Sequence, residues 1–245
     1  MSKNILLVLG ASSDIGINVA KKFAQEGFDI QLAGRNSYRL ENDCSNLRIR
    51  YNVNANFYEL DALDVNSHEK FVASLPELPN VVISAIGLLG DQSESELEIK
   101  KNIVVIRSNF EGVISLFSIF ANYFIERGNG TLIGISSVAG DRGRASNYIY
   151  GSAKAGLNAF LSGLRNRLFP FGINVITVKP GYVRTKMTKG LKLPRALTAD
   201  PKKVSCLIYK AYINRKDILY VLPIWKLIMF IIKIIPESIF KKMNL

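Results

Sequence analysis

The 245-residue sequence predicts a single α/β domain, a doubly wound parallel sheet with helices on both faces, followed by an apolar C-terminal extension. Three observations predict it. Short apolar, β-branched runs recur along the chain and end in small or turn residues, as strands buried on both faces do. Longer stretches with helical spacing lie between them, so strand and helix alternate. No repeat, low-complexity tract or Pro/Gly/Ser-rich linker divides the chain, and its length suits one mid-sized domain, 1–245.

In order, "NILLVLG" at 4–10 reads as a first strand and not as an export signal, because glycine and serine follow at once with no cleavage pattern. "LGASSDIG" then turns into the helix "DIGINVAKKFAQEG", which a glycine stops. Gly10, Ser12, Ser13, Asp14, Ile15 and Gly16 thereby stand where backbone N–H groups at a helix N-terminus can meet a pyrophosphate. "DIQLAGR" at 29–35 is the next strand. Arg35 at its end offers a cation to a ribose 2′-phosphate, and no acidic residue closes that strand to hold a bare diol, so charge favours NADP(H), with NAD(H) possible.

"VVISAIG" at 81–87, "GTLIGISS" at 130–137 and "INVITVKPG" at 173–181 supply further strands, and "KAGLNAFLSGLRNRLFPFG" a further helix stopped by glycine. Asn109 in "IRSNFEGVISLF" sits inside a helical stretch that does not favour asparagine, which points to a polar role such as holding a water beside Lys154. In "ASNYIYGSAKAGL", Tyr150 and Lys154 are four apart on one helix face, so the ammonium can draw the phenol's pKa down from about 10. Ser137, at a strand end, can hydrogen-bond a carbonyl oxygen.

Asn109, Ser137, Tyr150 and Lys154 resemble, in residue type, order and spacing, the catalytic tetrad of the short-chain dehydrogenase/reductase family. "LGASSDIG" is similar to that family's Thr-Gly-x-x-x-Gly-x-Gly motif, with Leu9 for the threonine and Asp14 for the middle glycine. The resemblance implies a Rossmann fold and a further set of coenzyme contacts. Asp64 in "ALDV" would touch the adenine, Gly87 in "SAIG" would border the nicotinamide ribose, and Pro180, Gly181, Val183 and Thr185 in "KPGYVRT" would form the nicotinamide-side loop. It also implies that Tyr150 and Lys154 contact the coenzyme, and that copies of the chain pair through the helices bearing Asn109 and Tyr150.

"AIGLLGD", "SSVAGDRGRASNYIYGSAKAGL", "VKPGYVRTKM" and "IPESIFKKM" further resemble the decaprenylphosphoryl-2-keto-β-D-erythro-pentose reductases within that family. This implies reduction of a 2-keto pentose linked to polyprenyl phosphate, in cell-surface glycan biosynthesis. Arg142, Arg144 and Lys186 are then candidate substrate contacts, for the phosphate or for lipid headgroups. The alternative is a reductase of 3-oxoacyl thioesters or another apolar ketone. More remote is a non-catalytic module that binds a cofactor or nucleic acid; the net charge of +12 suits anions in general, but no nucleic-acid recognition motif accompanies it, so no nucleic-acid partner is expected.

Residues 185–200 are basic and turn-rich and read as a substrate loop; 218–245 form the apolar C-terminal segment. Within it, Ile218 to Ile235 is nearly long enough to span a bilayer, but Pro223, Lys226 and Lys233 interrupt it. A helix lying on an anionic membrane surface is expected, with Trp225 and the basic end "FKKMNL" at the headgroups; packing on the sheet or on a second subunit is the alternative. The protein is accordingly expected in the cytoplasm, peripheral on the inner face of the plasma membrane. Cys44 and Cys206 have no CxxC or Cys/His spacing, so neither a disulfide nor a metal site is expected. His68, in a polar stretch, is expected to be exposed to solvent.

Overall fold

The computed structural model describes residues 4–243. Residues 1–3 and the last two residues of the basic tail, 244–245, lie outside the described residues. In chain order the first half comprises β1 (Ile5–Leu9), α1 (Asp14–Gln25), β2 (Asp29–Gly34), α2 (Glu41–Tyr51), β3 (Ala55–Glu59), α3 (His68–Ala73), β4 (Val81–Ser84), α4 (Gln92–Leu97), α5 (Ile99–Ile106) and α6 (Gly112–Arg127). The second half comprises β5 (Thr131–Ile135), α7 (Tyr148–Leu168), β6 (Asn174–Lys179), β7 (Tyr182–Val183), β8 (Thr198–Ala199), α8 (Pro201–Ile213), β9 (Ile218–Tyr220), α9 (Pro223–Ile234) and α10 (Glu237–Phe240).

Seven strands make one parallel sheet in the order β3-β2-β1-β4-β5-β6-β9. Its four central strands, β1, β4, β5 and β6, are buried along their whole length, which is why their sequences are apolar without alternation. α1, α2 and α8 cover one face through Val19, Phe23, Cys44, Leu47, Val204 and Ile208. α3, α6 and α7 cover the other through Phe71, Phe117, Phe120, Phe124, Leu157 and Leu161. The chain winds outward from β1 to β3, then crosses back to β4 and winds the other way. The reversal opens a crevice at the C-terminal ends of β1 and β4, where open α/β sheets bind their ligands.

Of the seven strands of this sheet, two escape the hydrophobic pattern, and both are its edges. In β3 only Ala55 is buried, and in β9 only Leu219, so neither needs a continuous apolar run. The expected single helix over Ile218–Ile235 is corrected accordingly: β9 joins the sheet beside β6, and Pro223 opens α9 in the first-turn position that tolerates proline. Trp225 is no headgroup anchor. It is 4 % exposed and packs with Met229 and Val138 against Tyr182, Leu197 and Tyr220. The outward face of α9 carries Ile224, Leu227, Phe230, Ile231 and Ile234, all exposed.

The continuous helical stretch Ile99–Arg127 is long and apolar enough to cross a membrane by composition, but its apolar side packs in the sheet core through Val113, Leu116, Phe117, Phe120 and Phe124. His68 is also corrected. It is 0 % exposed, with Nδ1 2.9 Å from the Ser115 hydroxyl and Nε2 3.2 Å from the Asp61 carbonyl, because the polar turn that carries it folds against α6.

Candidate active site

The turn from β1 into α1 is built by close backbone contacts. Gly10 has φ +78°, and a Cβ there would lie 2.8 Å from the Ile86 nitrogen, so the residue must be glycine for the turn to pass under the loop after β4. Ser13 caps α1: its hydroxyl accepts from the Gly16 N–H at 3.0 Å and donates to the Gly10 carbonyl at 2.9 Å. First-turn N–H groups have no partner within their own helix, so those of Asp14 and Ile15 remain at the helix head. The Asp14 carboxylate turns aside from them. It accepts a hydrogen bond of 2.6 Å from the Lys186 backbone N–H, in the loop after β6.

Ser137 lies two residues past the end of β5, and its hydroxyl accepts from the Ala139 N–H at 3.1 Å. The turn after it packs on α7 so closely that a Cβ on Gly140 would meet the Lys154 carbonyl carbon at 2.6 Å. Ser136 Oγ donates to the Lys154 carbonyl at 3.2 Å, and Asn158 Nδ2 to the Gly140 carbonyl at 3.1 Å, which fixes the helix in register with the strand end. A buried ion pair between Lys179 and Asp141 ties the same turn to β6, and the Tyr220 hydroxyl donates to Asp141 at 2.7 Å, tying it to β9. Ser137, Tyr150 and Lys154 are thereby brought together.

The nearby Ser137 hydroxyl favours the ionised form of the Tyr150 phenol, but burial dominates and pushes its pKa up to about 12. Lys154 is 2 % exposed, and burial holds its amine down to about 7. The amine donates to the Ile135 carbonyl at 3.1 Å and lies 5.7 Å from the centre of the Tyr150 ring. Asn109 does not face the cleft. It sits in a π-helical turn, Arg107–Glu111, of the kind that often marks functional sites. Its side chain clamps the loop after β4, donating to the Leu88 carbonyl at 2.6 Å and to the Val105 carbonyl at 2.9 Å, and accepting from the Leu88 N–H at 3.3 Å. That clamp sets Gly87, where a Cβ would stand 3.2 Å from Asn109 Oδ1 and 3.8 Å from Lys154 Nζ.

These groups line one cleft of about 380 Å³ running from Ser12, Ser13, Asp14 and Ile15 past Gly87, Ser137, Tyr150 and Lys154 to Pro180, Gly181, Val183, Thr185 and Lys186. Gly10 and Gly16 lie beneath it as backbone supports. Arg35 is exposed at the end of β2, and Asp64 is exposed in the turn after β3; neither lines the cleft. Beside Arg35, Glu59 at the end of β3 accepts from the backbone N–H groups of Asn36 and Ser37 at 2.9 and 2.8 Å. Arg142 is corrected as a substrate contact. Its guanidinium donates to the Ile232 and Ile235 carbonyls and to Glu237, and stacks 3.8 Å from the Phe240 ring centre, holding α9 and α10 together.

Sequence reasoning missed the apolar wall of this cleft, made by Leu89, Tyr182, Met187, Leu191 and Trp225. Trp225 reaches it only because residue 181 is glycine: a Cβ there would be 2.0 Å from the indole, whose N–H donates to the Leu197 carbonyl at 3.1 Å. Sequence reasoning assigned Trp225 to lipid headgroups, so nothing in it pointed to this wall.

The model of the short chain dehydrogenase family matches residues 4–195. An uncharacterized oxidoreductase of Mycobacterium tuberculosis is 31 % identical over 241 residues, covering 97 % of this chain and 96 % of the relative. The ketoacyl reductase HetN of Nostoc is 28 % identical over 223 residues, 86 % of this chain and 75 % of HetN. Among solved structures, a short-chain dehydrogenase from Sphingobium yanoikuyae in complex with NADPH superposes with a TM-score of 0.82 at 22 % identity, over 96 % of this chain and 97 % of that one. With the glycine turn, the serine, the tyrosine and the lysine all set on one doubly wound sheet, the chain belongs to the short-chain dehydrogenase family and is an oxidoreductase.

Proposed function

We propose that the protein uses NADPH to reduce the keto group of a 2-keto pentose linked to polyprenyl phosphate, at the inner membrane face in cell-surface glycan synthesis. The observation that carries the reductase reading is the meeting of Ser137, Tyr150 and Lys154 beside Gly87, in a cleft that begins at the free N–H groups of α1. The cradle fits a dinucleotide: the helix head suits its pyrophosphate, and the missing side chain at Gly87 leaves room beside Lys154. Bound nicotinamide would supply the hydride. Ser137 would hold the ketone oxygen, Tyr150 would give its proton to the alkoxide forming there, and Lys154 would exchange the Ile135 carbonyl for ribose hydroxyls. Asn109 acts one step back, holding the loop that carries Gly87.

Arg35 and the NADPH bound by the Sphingobium protein support NADP(H) over NAD(H). Asp64 is proposed for the adenine side, and Pro180, Gly181, Val183 and Thr185 for the nicotinamide side. Exposed Ile99, Ile103 and Val104 on α5 support self-association along the helices that carry Asn109 and Tyr150. A second reading, reduction of a 3-oxoacyl thioester, is favoured by the apolar cleft wall and by HetN's name. NADPH oxidation with a farnesyl-phosphoryl 2-keto pentose and with an acetoacetyl thioester separates the two. Wild type is expected to turn over the first and prefer it. Tyr150→Phe is expected to lose ~10³-fold or more in turnover while still binding NADPH; full turnover in that variant ends the reductase mechanism.

A further inference from the structure

The loop between Ser137 and Tyr150 holds two half-buried polar side chains that the proton-transfer chemistry does not use, each with one atom closed off from solvent. Arg144 and Asn147 both line the cleft, and Arg144 Nε and Asn147 Oδ1 are closed off from solvent without a hydrogen-bond partner. Local structure does not account for either. Asn147 is the N-cap residue of α7, where an amide side chain ordinarily accepts from a first-turn N–H, yet it makes no such bond. Arg142, two residues before Arg144, has its donors committed to α9 and Glu237, so Arg144 is the guanidinium left facing the cleft. Among the described residues lining the cleft the one carboxylate is Asp14, and it is directed at the Lys186 N–H.

Unpaired buried polar groups are costly and rare, and a ligand that completes them offsets the cost. The two orphans ask for opposite things. Arg144 Nε–H needs an acceptor, best an anionic oxygen, and Asn147 Oδ1 needs a donor such as a hydroxyl. Near its reacting ketone a 3-oxoacyl thioester presents acceptors alone, whereas a hydroxylated keto sugar esterified to phosphate presents both an anionic oxygen and hydroxyl donors there. We propose that Arg144 and Asn147 form the head-group subsite of the substrate, Arg144 taking a phosphate oxygen and Asn147 accepting from a sugar hydroxyl. The inference rests on the reading of this cleft as a ketone-reducing site. It divides the substrate between two sets of lining residues: the polar head on Arg144 and Asn147, and the lipid chain on Met187, Leu191 and Trp225.

The test uses the full chain saturated with NADP+, titrated with farnesyl phosphate and, as the uncharged control, farnesol. Farnesyl phosphate is expected to bind, and Arg144→Met to weaken it ~10–100-fold, the range of a lost charge-assisted contact, with farnesol unaffected and Arg144→Lys intermediate. Asn147→Ala is expected to leave farnesyl phosphate binding unchanged but raise KM for the farnesyl-phosphoryl 2-keto pentose roughly tenfold at unchanged kcat. Equal farnesyl phosphate binding by wild type and Arg144→Met overturns the subsite, as does a parallel loss of farnesol binding, which marks a structural role. The two readings fail separately. If wild type binds farnesyl phosphate through Arg144 yet oxidises NADPH only with the thioester, the subsite stands and the ketopentose falls. If the ketopentose is reduced and Arg144→Met changes nothing, the reverse holds.

Discussion

Lys154 carries an amine into the interior with one carbonyl, that of Ile135, as its hydrogen-bond partner, and its pKa near 7 is the result. Burial disfavours the charged form of both Tyr150 and Lys154, opposite in direction to the expected acidification of the phenol by the ammonium. Dinucleotide phosphates and ribose hydroxyls favour the charged amine. NADPH binding is thus expected to raise the Lys154 pKa, so proton uptake accompanies binding above about pH 7 and affinity falls as pH rises through that window. Calorimetry in two buffers of different ionisation heat reads this directly; no proton uptake at pH 8 refutes it. The same burial has a stability consequence. Between about 7 and the ordinary lysine value of 10.5 the unfolded chain binds more protons at this site, so the contribution to stability rises with pH there; below about 7 the full cost of a buried charge is present. Lys154→Met is expected to abolish turnover while stabilising the coenzyme-free protein at pH 6 by ~1–3 kcal/mol, and a lowered melting temperature counts against it. Ser137, Tyr150 and Lys154, which the structure brings to one cleft, could be picked out in the sequence because residue type and spacing mark them. Which of Arg142 and Arg144 faces the cleft could not, since two neighbouring arginines differ only in what packs around them.

At the scale of elements, the departure at position 14 acquires a physical account. Most of the first turn of α1 obeys ordinary capping rules, but the Asp14 side chain spans to the loop after β6 and clasps Lys186 across the mouth of the coenzyme cleft. The base of that loop is held by the two-residue ladder of β7 and β8 and by the Arg184–Asp200 pair, so the clasp secures the free end of a tethered strap. Asp14→Gly removes both the charge and the clasp; Asp14→Asn removes the charge and keeps an acceptor. NADPH dissociation is expected to be ~5–20-fold faster in Asp14→Gly than in Asp14→Asn, the size of one hydrogen bond. Equal rates in stopped-flow displacement show the clasp to be idle. Gly181 makes a second element-scale test. An alanine methyl would need the space of the Trp225 indole, so Gly181→Ala is expected to cost ~1–3 kcal/mol and to expose the tryptophan to quenchers. The strands β1, β2, β4, β5 and β6 and the helices α1, α6 and α7 were legible because buried strands and helices with a buried face write their burial into the sequence. β3 and β9 were not, because an edge strand is held by backbone pairing that any side chain allows.

For the whole molecule, the open question is what covers the outer face of α9. Deleting the C-terminal segment would be a poor probe, since Trp225 and Met229 on the inner face belong to the cleft wall and its packing. The outer face is separable. Leu227 and Phe230 are 60 % and 62 % exposed, and Lys226, Lys233, Lys241 and Lys242 stand exposed around them, while Glu237 is already paired with Arg142. Large apolar side chains rimmed by lysines on a chain of net charge +12 fit the surface of an anionic bilayer, where the apolar groups enter the acyl boundary and the amines reach the headgroups. Leu227→Glu with Phe230→Glu is expected to abolish sedimentation with phosphatidylglycerol vesicles, leave the melting temperature within about 2 °C because both residues are exposed, and leave NADPH binding intact. Wild type is expected to bind vesicles of pure phosphatidylcholine far less, and to release from the anionic ones as salt screens the lysines. If instead wild type ignores both vesicles and the double variant lowers the molar mass in light scattering, the face is an interface between copies of this chain and the membrane reading is wrong.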